Sequence, residues 1–125
     1  MPGKKIAYGS VPERPLSPAV RAGDFVYVSG QVPTGPDGLI VQGGLEAQVK
    51  QVMENIRAAL ALAGANMDQV VKTFCILEDA RDFSAFNKVY ATYFPTEAPA
   101  RTTIESRLMA NIMVEIDAVA YAPVA

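Results

Sequence analysis

The sequence contains no histidine, no tryptophan and a single cysteine in 125 residues. Without histidine, the chain cannot build a Ser-His-Asp triad, a Cys-His dyad or a histidine-containing zinc site. One cysteine cannot form an internal disulfide. These absences exclude most common hydrolytic sites. An enzyme of this composition has to work with arginine, carboxylates, hydroxyls and backbone groups, which suits chemistry on an already reactive, anionic small molecule.

The chain also lacks long apolar runs and a strong excess of either charge. No run approaches the roughly 18 apolar residues of a membrane-spanning helix, and no signal-peptide core follows the first six residues, so we expect a cytoplasmic protein. The formal net charge is -2 and the pI is about 5.0. This balance gives no electrostatic footprint for nucleic acid and no basic membrane patch. The length predicts one domain, over residues 1–125.

The first half of the chain changes from a strand pattern to a helix pattern. A short edge strand is predicted over 4–8, an extended proline-rich loop over 11–18 and a turn at Arg21-Ala-Gly-Asp. Alternating residues predict a strand over 25–31, and Thr34-Gly-Pro-Asp-Gly predicts a hairpin to 39–41. Apolar residues at helical spacing then predict a helix over 45–63, ended by Gly64.

The second half repeats the alternation of strand and helix. The run VVKTFCIL at 70–77 predicts a strand buried on both faces, with Cys75 as an inert, buried residue. A polar turn with an Asp cap leads to a helix over 83–94, on which Asn87 and Tyr90 lie next to each other. Two extended runs follow, with a break near 110–111. The first begins at Arg101.

Two carboxylates lie on the last predicted strand. Because residues two apart share a strand face, Glu115 and Asp117 lie with Met113 and Val119 on a face that is otherwise apolar. Such anions are retained where they are paired, hydrogen-bonded or functional; the alternative is a solvated sheet face or a subunit rim. Arg101 has a comparable alternative as a surface or capping arginine.

The predicted order β-β-(β)-α-β-α-β-β is that of an α+β domain with two helices packed on one face of a sheet. Two helices cover only one face, yet the runs at 25–30, 70–77 and 113–121 carry apolar residues on both. We therefore expect self-association to bury the second face, with concave sites at the subunit boundaries. At the end of the strand over 25–31, Ser29 and Gly30 form either a simple strand terminus or a place where backbone approaches a small molecule closely.

Several short motifs, in this order, resemble the Rid (RidA-like, YjgF-type) family of imine/enamine deaminases. They are SGQVP at 29–33, a helix containing Gln48 and Asn55 that closes with AGA, VVKTFCILED at 70–79, DFSAFNKVYATYF at 82–94, PAR at 99–101 and VEIDAVA at 114–120. The resemblance runs nearly end to end. It implies a chorismate-mutase-like fold with a mixed sheet, assembled as a homotrimeric barrel with three clefts between subunits.

The resemblance also implies a chemistry and its residues. Small imine or enamine carboxylates of the 2-iminopropanoate type would be hydrolysed to keto acids and ammonia without metal or organic cofactor. Arg101 would bind the substrate carboxylate, and Glu115 would position or deprotonate the attacking water. The backbone near Thr103 would contribute an amide to the carboxylate. The cleft would be lined by Ser29, Gly30, Asn87 and Tyr90.

The chain departs from the best-known branch of that family at two positions. Leu16, in Pro15-Leu16-Ser17, replaces a tyrosine that would close the cleft, and Thr103 replaces a cysteine. A more apolar mouth suits a bulkier enamine such as 2-aminomuconate, which is one alternative. Another is a non-catalytic trimer that binds small carboxylates and regulates a partner protein. A ribonuclease role is disfavoured by the negative charge and the missing histidines.

Overall fold

Two helices cover one face of a single mixed sheet in the computed structural model, which describes residues 3–124. The elements are β1 (Ile6–Tyr8), β2 (Ala19–Ala22), β3 (Phe25–Gln31), α1 (Leu45–Leu62), β4 (Val70–Leu77), α2 (Phe83–Tyr93), β5 (Ala100–Glu105) and β6 (Val114–Tyr121). The strand order is β1-β2-β3-β6-β4-β5. Among the strands of residues 3–124, only the pair β4-β5 is parallel. The predicted α+β class is confirmed.

The helix α1 provides much of the core. Its predicted apolar stripe is buried along its whole length, and the members are Leu45, Val49, Val52, Met53, Ile56, Leu60 and Ala63. The helix ends in a Schellman motif: the amide of Ala65 donates to the Leu60 carbonyl and the amide of Gly64 to the Ala61 carbonyl. Gly64 has a φ of 79°, which a side chain would disfavour. The predicted helix end is therefore correct.

Three local predictions differ from the structure. Residues 19–22 form the strand β2 rather than a turn at Arg21, and the chain reverses one step later at Gly23. The predicted hairpin to 39–41 is reduced to an isolated bridge between Thr34 and Ile40. The predicted Asp cap is present but belongs to a 3-10 turn that precedes α2. It is Asp79, whose side chain accepts from the amide of Arg81 at 2.9 Å.

The Arg21 side chain explains why a charged residue occurs in β2. Its guanidinium donates to the carbonyl oxygens of Ala63, at 2.8 Å, and Ala122, at 2.7 Å. The Ala63 carbonyl lies at the end of α1, where it has no partner within the helix. The Ala122 carbonyl lies just after β6. One arginine therefore ties three parts of the fold together.

The sheet has one covered face and one open face. Val26, Cys75 and Ile116 belong to the covered face and are essentially inaccessible to solvent. On the open face Phe25, Tyr27 and Tyr121 are 39%, 48% and 47% exposed. The second apolar face predicted from the sequence is thus present and uncovered in a single chain. Within residues 3–124, neither helix is long and apolar enough to cross a membrane.

Candidate functional site

Arg101 lies on the covered face of the edge strand β5, next to α2. Its Nη1 donates to Oδ1 of Asn87 at 2.8 Å. Its Cζ lies 4.9 Å from the ring centroid of Tyr90 and 5.4 Å from those of Phe83 and Phe86. A planar guanidinium over aromatic faces is held by cation–π attraction with little freedom to rotate.

Helical spacing brings these supporting groups together. The supporting side chains lie three, four and seven residues after Phe83 and so project from neighbouring positions of α2. They are Phe86, Asn87 and Tyr90. Tyr90 is itself anchored, because its hydroxyl is 2.7 Å from Oγ1 of Thr73 on β4. Thr73 is the register partner of Arg101 in the parallel pair β4-β5. The arginine therefore rests on a rigid surface.

Arg101 has no anionic partner within the chain that the structure describes. The ion pairs found there are Arg57–Glu54 and Arg81–Asp79. The single hydrogen bond to Asn87 leaves the other guanidinium N–H groups available. A half-buried cation of this kind, oriented by neutral groups, is suited to bind a carboxylate bidentately.

Thr103 follows Arg101 on the same face and is the register partner of Cys75. Its hydroxyl oxygen is buried and has no hydrogen-bond partner among residues 3–124. Cys75 is fully buried, as predicted. Burial raises the pKa of the Cys75 thiol to about 11, so the thiol stays protonated and is a poor nucleophile.

Glu115 lies on the open face, against Gly30. In the pairing of β3 with β6, Val28 is opposite Ala118 and Gln31 is opposite Ile116. Ser29 and Gly30 therefore share the single position opposite Asp117, which is a β-bulge. A Cβ on Gly30 would collide with Oε2 of Glu115. Only glycine leaves room for the carboxylate where it lies.

The two carboxylates of the open face are both harder to ionise than usual. Partial burial raises the pKa of Glu115, and the nearby charge of Asp117 adds to this effect. Burial also raises the pKa of Asp117, against the opposing effects of the Phe74 amide and the Lys72 ammonium. A carboxyl group whose pKa is shifted upwards is better matched to proton transfer near neutral pH.

Ser29 connects the bulge to the proline-rich loop. Its hydroxyl donates to the carbonyl oxygen of Ser17 at 2.6 Å, and its amide donates to the carbonyl of Pro18 at 3.0 Å. Leu16, which is 46% exposed, precedes this anchor. The hydroxyl of Ser29 is thus used within the fold, and it holds the loop bearing Leu16 next to Gly30.

The predicted site residues form two separate groups in one chain. Arg101, Asn87, Tyr90 and Thr103 lie on the covered face, whereas the group of Glu115, Gly30 and Ser29 lies at the open face. Arg101 and Glu115 are two strands and three residues apart, so their Cα atoms are separated by roughly 14 Å at ordinary sheet spacing. They also point away from each other. A single chain does not bring them to one small molecule.

Comparison with known families identifies the relationship. The profile described as endoribonuclease L-PSP matches residues 9–122. The chain belongs to this family. The L-PSP family is also known as the YjgF/RutC/Rid family, so the resemblance seen in the motifs is confirmed.

Relatives within the L-PSP family match almost the full length of the chain. A RutC family protein of Saccharolobus solfataricus is 45% identical over 122 residues, which cover 94% of this chain and 97% of the relative. A RutC family protein of Pyrococcus horikoshii is 44% identical over 112 residues, 88% of this chain and 89% of the relative. The crystal structure of a Rid family protein from Yersinia pestis superposes with a TM-score of 0.89 at 36% identity, covering 95% of this chain and all of that one.

The support beneath Arg101 in this L-PSP family chain was only partly predicted. The aromatic spacing in α2 divides into two stripes, and Phe83 and Phe86 fall on different ones. Arg101 lies over the boundary between them, so it contacts both rings. The role of Thr73 as the anchor of Tyr90 was not predicted, because a single polar residue within an apolar strand does not indicate its partner. Among residues 3–124, no group of three Asp, Glu or Cys side chains is placed to hold a metal ion.

Proposed function

We propose that the protein hydrolyses small imine or enamine carboxylates of the 2-iminopropanoate type to keto acids and ammonia. The observation that carries this proposal is the half-buried guanidinium of Arg101, which is oriented by Asn87 and three aromatic rings and has no carboxylate partner among the described residues. Such a group holds a small anion in one orientation, and orientation is most of what hydrolysis of a reactive imine requires.

Glu115 acts as the base in this proposal. It accepts a proton from water as the water oxygen forms a bond to the C=N carbon, and the imine nitrogen takes up a proton from solvent to give a carbinolamine. The C–N bond then breaks as ammonia leaves with the proton returned from the Glu115 carboxyl group, and the remaining hydroxyl gives its proton back to solvent to form the keto acid. An imine carbon is already electrophilic, so no metal or organic cofactor takes part.

The two groups meet between copies of the chain in this proposal. Since Arg101 and Glu115 face opposite sides of one sheet, a substrate of three or four carbons contacts both only if they come from different chains. The uncovered apolar face offers a surface for such association. We propose the homotrimer with three clefts, in which the open faces pack together and each cleft combines Arg101 of one copy with the Glu115 group of another.

The proposal is tested by generating 2-iminopropanoate in situ and following keto-acid formation with wild type, Arg101→Ala and Glu115→Ala side by side. Semicarbazide traps the free imine in competition with hydrolysis. A decrease in the amount of semicarbazone formed therefore measures enzymatic hydrolysis. We expect the wild type to accelerate hydrolysis and each substitution to reduce kcat/KM by about 10²-fold or more. A wild type that leaves the spontaneous rate unchanged would refute the proposal.

The same variants separate catalysis from two alternatives. A regulatory protein that only binds carboxylates would keep keto-acid affinity in Glu115→Ala and have no turnover to lose. The family description also names RNA cleavage. That reaction would have to proceed without histidine and with a net charge of -2. RNA binding normally relies on positive charge and stacking aromatic side chains, so we place imine hydrolysis first.

A further inference from the structure

A cavity of about 240 Å³ lies on the covered face towards the end of β5, next to the Phe83 ring that supports Arg101. Its lining residues are Leu77, Ala80, Phe83, Thr103, Ile104 and Glu105. Phe83 belongs both to this lining and to the support of the guanidinium. Thr103 and Glu105 follow Arg101 on the same face of β5. An acid held by Arg101 therefore has this cavity beside it, and the cavity has room for more than a methyl group.

The walls of the cavity are apolar apart from Thr103, and its far end is acidic. Oε2 of Glu105 accepts from the amide of Ala80 at 2.7 Å, which fixes this carboxylate at the end of the cavity. Asp79 and Asp82 lie in the neighbouring turn. The one cation of that turn, Arg81, is held by Asp79 at 2.7 Å. Three carboxylates against one guanidinium leave the far end net negative.

We infer that this cavity selects imino acids with one carboxylate and an apolar side chain, and that Glu105 rejects those with a second carboxylate. The inference rests on the proposed function, because it requires Arg101 to hold the first carboxylate. An aliphatic chain then removes apolar surface of Leu77 and Phe83 from water. A second carboxylate entering the same space meets Glu105 at short range and loses its hydration without a cationic partner. This disfavours 2-aminomuconate, a dicarboxylate, as the substrate.

The first test measures binding of keto acids by titration calorimetry, which does not depend on turnover. We expect 4-methyl-2-oxopentanoate to bind about tenfold or more tightly than 2-oxoglutarate to the wild type. In Glu105→Gln, which keeps an acceptor for the Ala80 amide, 2-oxoglutarate should gain affinity and the ratio should fall to about threefold or less. Glu78→Gln, an exposed carboxylate outside the cavity lining, is the control and should keep the wild-type ratio.

The second test uses the imines derived from alanine and leucine. Ala80 is exposed, and Ala80→Phe places a ring in the cavity; this variant should lose activity on the leucine-derived imine about tenfold more than on the alanine-derived imine. Equal affinity for the two keto acids in the wild type, or an unchanged ratio in Glu105→Gln, would overturn the inference. No turnover of any imine, combined with the expected keto-acid preference, would instead refute the proposed function and leave the selectivity of the cavity standing.

Discussion

Arg101 is positioned by neutral groups only. Asn87 accepts one hydrogen bond from it, and Phe83, Phe86 and Tyr90 provide aromatic faces. An ion pair with a protein carboxylate would orient the guanidinium equally well, but it would also neutralise the charge that a substrate needs. The support found here therefore keeps the arginine ordered and its charge available.

Arg101→Lys should weaken substrate binding although it preserves the charge. An ammonium cannot make two parallel hydrogen bonds to a carboxylate or stack flat on the rings of α2. We expect KM to rise about 10- to 100-fold with a smaller change in kcat, measured by steady-state kinetics on the alanine-derived imine. A variant with the wild-type KM would show that the fork geometry is not used.

Glu115→Gln should stabilise the protein at neutral pH while abolishing turnover. Burial and Asp117 raise the folded-state pKa of Glu115 above its ordinary value of 4.5. The folded chain thus binds the proton more tightly than the unfolded chain, so the free energy of unfolding falls as pH rises from 4.5 to the raised value. Removing the charge should increase Tm by about 1 to 3 °C at pH 7.

The same substitution should have no such effect at pH 4, where Glu115 is largely protonated in both states. Thermal unfolding at the two pH values measures the difference. Glu78→Gln, which is exposed on the turn after β4, is the matched control and should change Tm equally at both. A gain in Tm that persists at pH 4 would show that ionisation of Glu115 is not its cause.

At the scale of elements, the bulge in β3 determines where the carboxylate of Glu115 lies. Two residues of β3 face one residue of β6, and this brings the backbone of Gly30 under the glutamate side chain. Gly30 does not have a positive φ, so its requirement is for space rather than for backbone freedom. The element thereby sets the geometry of a catalytic group in the proposed reaction.

Gly30→Ala should preserve the fold and impair catalysis. The new methyl group meets only the end of the flexible Glu115 side chain, which can rotate away at small cost in stability. We expect Tm within about 2 °C of wild type and a fall in kcat of about 10²-fold, because a displaced base no longer reaches the water. Gly35→Ala, at the other glycine without a positive φ, is the control and should retain activity. Full activity in Gly30→Ala would contradict this role for the bulge.

The elements also differ in how well the sequence predicted them, for physical reasons. The stripe of α1 and its end at Gly64 follow from a long, unambiguous period and a specific capping residue. The strand β2 was missed because four residues containing Arg21 carry too little alternation to outweigh the turn signal that follows. The family motifs led to Arg101 and Glu115. Their placement on opposite faces depends on β4 lying between β5 and β6, and this order arises from pairings between distant parts of the chain.

At the scale of the whole molecule, the open sheet face is an apolar surface that a single chain leaves exposed to solvent. Phe25 and Tyr121 contact each other as a tilted pair with 5.3 Å between ring centroids, and both are still accessible to solvent. Covering such a face stabilises an assembly by roughly 25 cal/mol per Å² of apolar area. The same covering would remove more water from Glu115 and Asp117 and would raise their pKa values further. In the proposed trimer, association and the ionisation of these two carboxylates would therefore be coupled.

The opposite placement of Arg101 and Glu115 has a genetic consequence. If the proposed reaction is correct, an allele encoding Arg101→Ala and one encoding Glu115→Ala should each be strongly impaired alone, but their products carry complementary defects. In mixed trimers whose clefts take each residue from a different chain, about a quarter of the clefts contain both intact residues. Co-expression of the two alleles should therefore restore about a quarter of wild-type activity. If each cleft took both residues from one chain, every cleft would carry one of the two defects. A cell expressing both alleles would then be as deficient as a cell expressing either allele alone.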